Sequence, residues 1–431
     1  MSAYDYAREY IESVGARYAG GENERKAQEW IEGKLKSLGL KVFIDSFKFI
    51  SSENYYRILT LIVMTIQLLL LWYARYLNPL IILASFIAIM FFFAKIYKKI
   101  DVRLANTPSK NILASFKAEI GENKEEKKVL ICAHYDSPRN LSKILQRLEE
   151  AFRTLNPFLS LVFISFLFVE ALRSFIYLLS LKNYLLYSQF LLERLWNYLW
   201  MVFIFIFLPF ITFGYVMLIY NWVRKKENSV GADDNASGVG CLLELAERLK
   251  KRPLKNLEPY FALWGAEERG LFGSRQFVRK YDEKLSKEKL YVLNMDVVGV
   301  GSTIVITSGQ GVVFRKRCDE KLLEMLEKAC LEVGANFELS WESPITGGSS
   351  DHQEWVDRGY KAMSIFREDK RGLSIFAKLF AKLLLIPHPT QFSLKHVHTE
   401  RDDLKILKKE TLLETVEVAE SYLRKLDNLE G

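Results

Sequence analysis

Six side chains able to bind a cation or move a proton stand in five separated strings of this 431-residue chain. The strings are Ala133-His134-Tyr135-Asp136, Gly231-Ala232-Asp233-Asp234-Asn235-Ala236-Ser237-Gly238, Gly265-Ala266-Glu267-Glu268-Arg269-Gly270-Leu271, Asn294-Met295-Asp296 and His398-Thr399. They supply the imidazoles of His134 and His398, the carboxylates of Asp234, Glu268 and Asp296, and a spare carboxylate on Glu267. That is the inventory for a pair of divalent cations and a general base. Each string alone has a plainer meaning. Asp136 is spaced to fix the second ring nitrogen of His134, as a metal-bound imidazole requires, but an H-x-D pair is common. Asp233 and Asp234 precede a helix, where acids also serve as N-caps that complement the dipole. Glu267 and Glu268 end an apolar run; a nearby cation offsets their repulsion, and a solvated loop would avoid it.

The elements that must carry these groups follow from periodicity. Apolar strands at 128–136, 259–266 and 290–296 end on His134, Glu267-Glu268 and Asp296. In open α/β sheets, sites gather at such carboxyl ends. Helical spacing appears at 4–14, 24–38, 237–250, 271–281, 314–333 and 407–423, and further strands at 41–49, 111–117, 303–307, 337–341 and 362–366. The alternation predicts a largely parallel sheet with helices on both faces. Residues 372–387 read as an amphipathic helix, packed on the core or lying at a lipid interface.

Composition bounds the setting. Hydrophobic residues make up 50% and charged residues 26%, so the apolar ones are gathered in blocks. The blocks at 58–74, 80–97, 157–181 and 196–222 approach the roughly 20 residues that span a bilayer. They predict four transmembrane helices in two hairpins. The excess of 60 Lys and Arg over 52 Asp and Glu falls beside these blocks. It is therefore read as juxtamembrane charge, with no nucleic-acid partner, and the positive-inside rule predicts a cytoplasmic catalytic domain in a multi-pass protein of the cell membrane. Cys132, Cys241, Cys318 and Cys330 form no C-x-x-C pair and are expected to be buried free thiols. The first 20 residues carry no apolar signal segment.

Taken together, the strings resemble the M28 family of co-catalytic zinc peptidases, over residues of about 1–50 and 108–425. Ser350-Asp351-His352-Gln353-Glu354-Trp355 adds a sixth string, similar to that family's motif near the substrate pocket. The resemblance implies a three-layer sandwich with a mixed, mostly parallel sheet flanked by helices. It also implies two Zn2+ per chain, with Co2+ or Mn2+ as alternatives, and a peptide substrate. His134 and Asp296 would hold one ion, Glu268 and His398 the other, and Asp234 would bridge them. Glu267 would be the general base, Asp136 the partner of His134, and Asp351 and His352 part of the substrate pocket. The chain departs from the pattern in two places. Val397 stands where some members have Tyr, which leaves the oxyanion stabiliser unassigned, and Asp234 follows His134 by 100 positions, a longer gap than usual.

The expected organisation is peptidase domain at 1–55, 101–154 and 227–431, with hairpins at 56–100 and 155–226. The expected function is a membrane-bound dizinc exopeptidase of the aminopeptidase type, with the lipid bilayer as a partner and the oligomeric state open. The alternatives are a mono-zinc acyltransferase of the glutaminyl-cyclase kind and a non-catalytic membrane scaffold or receptor.

Overall fold

The computed structural model describes residues 1–52, 103–117, 126–140, 228–311, 315–342, 349–369, 385–388 and 396–430, with scattered positions between them. Contacts divide the chain into two compact units. One comprises residues 1–51, 106–146 and 226–431; the other comprises 52–105 and 147–225.

The first unit contains a nine-stranded mixed sheet, whose strands end near His134, Glu267, Glu268 and Asp296. The strands are β1 (Lys41–Phe49), β2 (Thr107–Ser115), β3 (Lys128–His134), β4 (Glu258–Trp264), β5 (Leu290–Met295), β6 (Thr303–Gln310), β7 (Lys316–Arg317), β8 (Phe337–Glu342) and β9 (Lys361–Glu368). Their order is β1-β2-β4-β3-β5-β9-β6-β7, and β8 pairs with β6. The central strands β4, β3, β5 and β9 run parallel. The flanks turn antiparallel at β1–β2, β2–β4, β6–β9 and β6–β7. The expectation of a mostly parallel sheet thus holds for the centre, and the sheet as a whole is mixed. β3, β4 and β5 are buried along their whole length, which is why their sequences read as unbroken apolar runs.

The helices are α1 (Ala3–Val14), α2 (Glu22–Ser37), α3 (Ser237–Lys251), α4 (Phe272–Tyr281), α5 (Glu320–Val333), α6 (His352–Asp357) and α7 (Lys409–Leu429). α5 starts later than the apolar spacing predicts. Lys316 and Arg317 pair with β6, and Asp319 caps the helix by accepting from the N–H groups of Lys321 and Leu322 at 3.0 and 3.2 Å. α6 was not foreseen as a helix. It is fastened by Trp355, whose ring lies 6.2 Å from Trp264 at the end of β4 and 6.1 Å from Phe277 of α4. All four cysteines are buried and free.

Arg17 holds the site's scaffold together. It is fully buried, and its guanidinium donates to main-chain carbonyls: Nε to Tyr135 at 2.7 Å, Nη1 to Val230 at 2.6 Å and Nη2 to Gly231 at 2.9 Å. The end of β3 is thereby tied to the loop that leads into Asp234. Arg17→Met would strand these acceptors, at about 1–3 kcal/mol for each buried group left unsatisfied. The expected result is a urea midpoint lowered by several kcal/mol equivalent; an unchanged midpoint would contradict the role.

The second unit corresponds to the apolar blocks, and most of its residues lie outside those described. Its described positions include helical Thr65 and Tyr215, whose hydroxyls are 2.7 Å apart. Among the described residues no helix is long and apolar enough to cross a membrane. A span needs about 20 consecutive apolar residues in one helix, and no described helix meets that requirement. The reading of a multi-pass protein of the cell membrane with a cytoplasmic catalytic domain is corrected accordingly. The hairpins expected at 56–100 and 155–226 and the helix at 372–387 fall largely outside the described residues.

Candidate metal centre

The five strings converge. His134 ends β3, Asp296 follows β5, and Glu267 and Glu268 form a short turn after β4. Asp234 lies in the turn before α3. That turn is tightly packed. Gly231 has φ +60°, and a Cβ there would meet the Asp234 carbonyl at 2.3 Å; a Cβ on Gly238 would meet the Met295 carbonyl at 2.6 Å. Only glycine allows both the left-handed backbone and this approach.

Two groups of donors result. His134, Asp234 and Asp296 form one, and Asp234, Glu268 and His398 the other; within each, one ligand atom per residue lies within 4.8 Å of the rest. Asp234 belongs to both. Its Oδ1 is 3.1 Å from Nε2 of His134, and its Oδ2 is 3.3 Å from Nε2 of His398. His134 Nε2 also lies 3.2 Å from Asp296 Oδ1, and His398 Nε2 lies 3.2 Å from Glu268 Oε2. Glu267 stands back from both groups, with Oε2 4.0 Å from His134 Nε2.

The electrostatics describe a site that calls for positive charge. Burial, reinforced by Glu268, Asp296 and Asp351 and opposed by His134, holds Glu267 well above the carboxylate range. Burial, with Asp234 adding and His398 opposing, pushes Glu268 up to about 7. Burial also acts on Asp234, but hydrogen bonds from His134 and His398 outweigh it and hold Asp234 below the usual range. Burial opposes charge on both imidazoles. The carboxylates win, led by Glu267 at His134 and by Glu268 at His398, and both rings are held well above an ordinary histidine. The protonated rings thus supply countercharge that divalent cations would supply on neutral imidazoles. The nitrogen and oxygen donors suit zinc.

A ring of partners orients these groups. His134 Nδ1 lies 3.1 Å from the Asp136 carbonyl oxygen, so the expected partner of His134 acts through its main chain as well; its carboxylate is 3.7 Å away. Asp136 Oδ1 and Oδ2 instead accept from the N–H groups of Glu267 and Glu268 at 3.1 and 3.3 Å. Ser350 Oγ donates to Asp296 Oδ2 at 2.6 Å and accepts from Asn294 Nδ2 at 2.7 Å. Asn235 Nδ2 donates to the Met295 carbonyl, and its Oδ1 accepts from Gly238 N–H, at 2.9 Å each. His396 Nε2 pairs with Asp233 Oδ2 at 2.7 Å.

Asp351 and His352, expected in the substrate pocket, begin α6 and are fully buried. Burial pushes Asp351 up to about 7, with His134 opposing and Asp296 and Asp136 adding. Asp351 is thus electrostatically joined to the centre. His352 is not brought into either donor group; its Nε2 lies 3.5 Å from Glu342 Oε2, and burial lowers it to about 3. Residues without an assigned role in the sequence reading also build the site: Arg17, Ser350, Asn294 and Asp402. Asp402 follows His398 by four positions in a polar turn, a spacing that could have flagged it.

Residues 219–423, just under half of the chain, match the model of Peptidase family M28. The chain is 44% identical over 177 residues to aminopeptidase YwaD of Bacillus subtilis; the match covers 40% of this chain and 35% of the relative, so it spans about a third of that relative's length. Among solved structures, a zinc aminopeptidase from Bacillus subtilis matches with a TM-score of 0.52 at 16% identity, over 99% of this chain and 94% of that one. A glutaminyl cyclase from an Acidobacteriales bacterium matches with a TM-score of 0.52 at 14% identity, over 100% and 94%. At such identities the structural likeness is one of fold. The family and aminopeptidase matches support an M28 peptidase, a hydrolase.

Proposed function

We propose that the chain is a dizinc exopeptidase of the aminopeptidase type, acting on peptides, in which His134 joins ligands from the segment that matches peptidase family M28. The observation that carries this reading is the sharing of Asp234 between two donor groups, one oxygen to each. Fold likeness does not separate a peptidase from a cyclase, because the two solved structures match equally well. The donor set favours the two-ion reading, since each group brings one imidazole and a carboxylate of its own.

His134, Asp234 and Asp296 would hold one ion, and Asp234, Glu268 and His398 the other. Bound zinc supplies Lewis acidity and a water acidified toward neutral pH. The chain's own residues do the rest. Glu267 Oε2, close to His134 but outside both donor groups, accepts the proton of the attacking water and passes it to the leaving amine. Asp136 holds Glu267 and Glu268 in register through their consecutive N–H groups. Asp351, buried and electrostatically linked to His134 and Asp296, would belong to the substrate pocket.

The test is metal analysis of the purified full-length chain, combined with mass spectrometry of a digested peptide library. Two zinc ions per chain and stepwise loss of terminal residues are expected. One ion with cyclised N-terminal glutamine would favour the acyltransferase instead, and no bound metal with intact peptides would favour a non-catalytic protein.

A further inference from the structure

Asp402 belongs to neither donor group, yet it is almost fully buried against one of the ligand-bearing turns. Its Oδ1 accepts the N–H of Asp233 at 2.6 Å, and its Oδ2 accepts the N–H of Asp234 at 3.3 Å. This repeats the grip of Asp136 on the N–H groups of Glu267 and Glu268. In both cases a carboxylate from a distant segment takes two consecutive amides, and so sets the direction in which the next side chain leaves the backbone.

The main chain of Asp402 joins the same two segments. Its carbonyl accepts from Ala232 N–H at 3.4 Å, and its own N–H donates to the Thr399 carbonyl at 3.2 Å. Thr399 directly follows His398. Asp402 is therefore linked to Asp234 through its side chain and to His398 through a single tight turn. The two ligands it connects belong together to the second donor group. The other group shares Asp234, but its two remaining members have separate supports, since His134 meets the Asp136 carbonyl and Asp296 receives Ser350. His398 is less enclosed: its side chain is 41% exposed, and its backbone has a φ of +60°. Its position depends on the order of its turn.

We infer that Asp402 is a positioning residue that fixes Asp234 relative to His398 and thereby sets the affinity of the metal position formed by Asp234, Glu268 and His398. The inference rests on the two-ion reading above. Its physical basis is preorganisation: ligands on separate loops bind more tightly when their ordering is accomplished by the fold.

The experiment is stepwise Co2+ titration of the metal-stripped full-length chain, followed by calorimetry and by the visible absorption of the bound ion. In Asp402→Asn one oxygen still accepts an amide, while the new NH2 opposes the other. Both steps share Asp234, but only the second position also depends on the His398 turn, so one step should weaken about 10- to 100-fold and the other distinctly less, with the melting temperature of the metal-free chain kept. Equal affinities in the variant and the wild type would overturn the inference alone. So would an equal weakening of both steps, which would give Asp402 no part in the second position beyond the shared Asp234, or a lowered melting temperature of the metal-free chain, which would make Asp402 a folding residue. A wild-type chain that binds a single ion would sink the two-ion reading, and this inference with it. The unsubstituted protein provides a second measurement, independent of how the variant folds. The Asp233 and Asp234 amides should resist hydrogen exchange before any metal is added, and free exchange there would overturn the proposal.

Discussion

Glu267→Gln is expected to lower turnover by about 100- to 10,000-fold, the range for loss of a general base, while the chain keeps its metal. Glutamine preserves the shape of the side chain and removes its capacity to accept a proton at Oε2. Glu267 can be changed in this way because it stands at 4.0 Å from His134 Nε2, whereas the ligand carboxylates of Asp234 and Asp296 approach that atom to 3.1 and 3.2 Å. The turn itself is retained, since Asp136 grips the Glu267 N–H and not its side chain. Steady-state kinetics on a cleaved library peptide, with zinc content measured on the same preparation, makes the comparison. Wild-type turnover in the variant would remove Glu267 from the role; loss of zinc together with turnover would make it a ligand.

Stripping the metal should abolish hydrolysis and lower the melting temperature, and the stability gap should widen as pH rises. At free zinc of 100 times Kd, each site stabilises the folded chain by about 2.7 kcal/mol. The direction with pH follows from the metal-free centre. Glu267 and Glu268 are held above their ordinary values, Glu268 at about 7, so the folded chain binds more protons than the unfolded one between about pH 4.5 and 7. His134 and His398 are also raised. Their contribution is fully present below about pH 6.5 and is lost as pH climbs through their folded values. Asp234, held low, adds a contribution that persists across this window and is lost only in acid. The metal-free chain therefore weakens from about pH 5 upward. Bound zinc takes over the countercharge from protons, so the loaded chain should not follow that decline. Thermal unfolding of both forms from pH 5 to 8 measures the gap; one that narrows with pH would contradict this electrostatic picture.

Several parts of the molecule were legible one residue at a time. His134, Glu267, Glu268 and Asp296 follow apolar runs that the sheet buries completely, and such runs are read from local sequence because burial on both faces leaves no polar alternation. Strand β1 was recognised instead by its alternation and helix α7 by its helical spacing, because each buries one face. The start of α5 was not: Lys316 and Arg317 join β6 across the sheet, and spacing along the chain carries no trace of that pairing. Apolar blocks predicted membrane spans, while no described helix has the length and apolar character that crossing requires.

By itself the sequence determined the inventory of the centre: which donors exist, which strand ends bear them, and that two carboxylates, Glu267 and Glu268, stand side by side. Tertiary structure decided the grouping. It made Asp234 common to both donor groups, set Arg17 on the Tyr135, Val230 and Gly231 carbonyls, and brought Asp402 onto amides 168 and 169 positions away. The physical reason is that burial patterns repeat along a strand or helix and are written locally, whereas a buried carboxylate finds its N–H partners only after distant loops have been packed together.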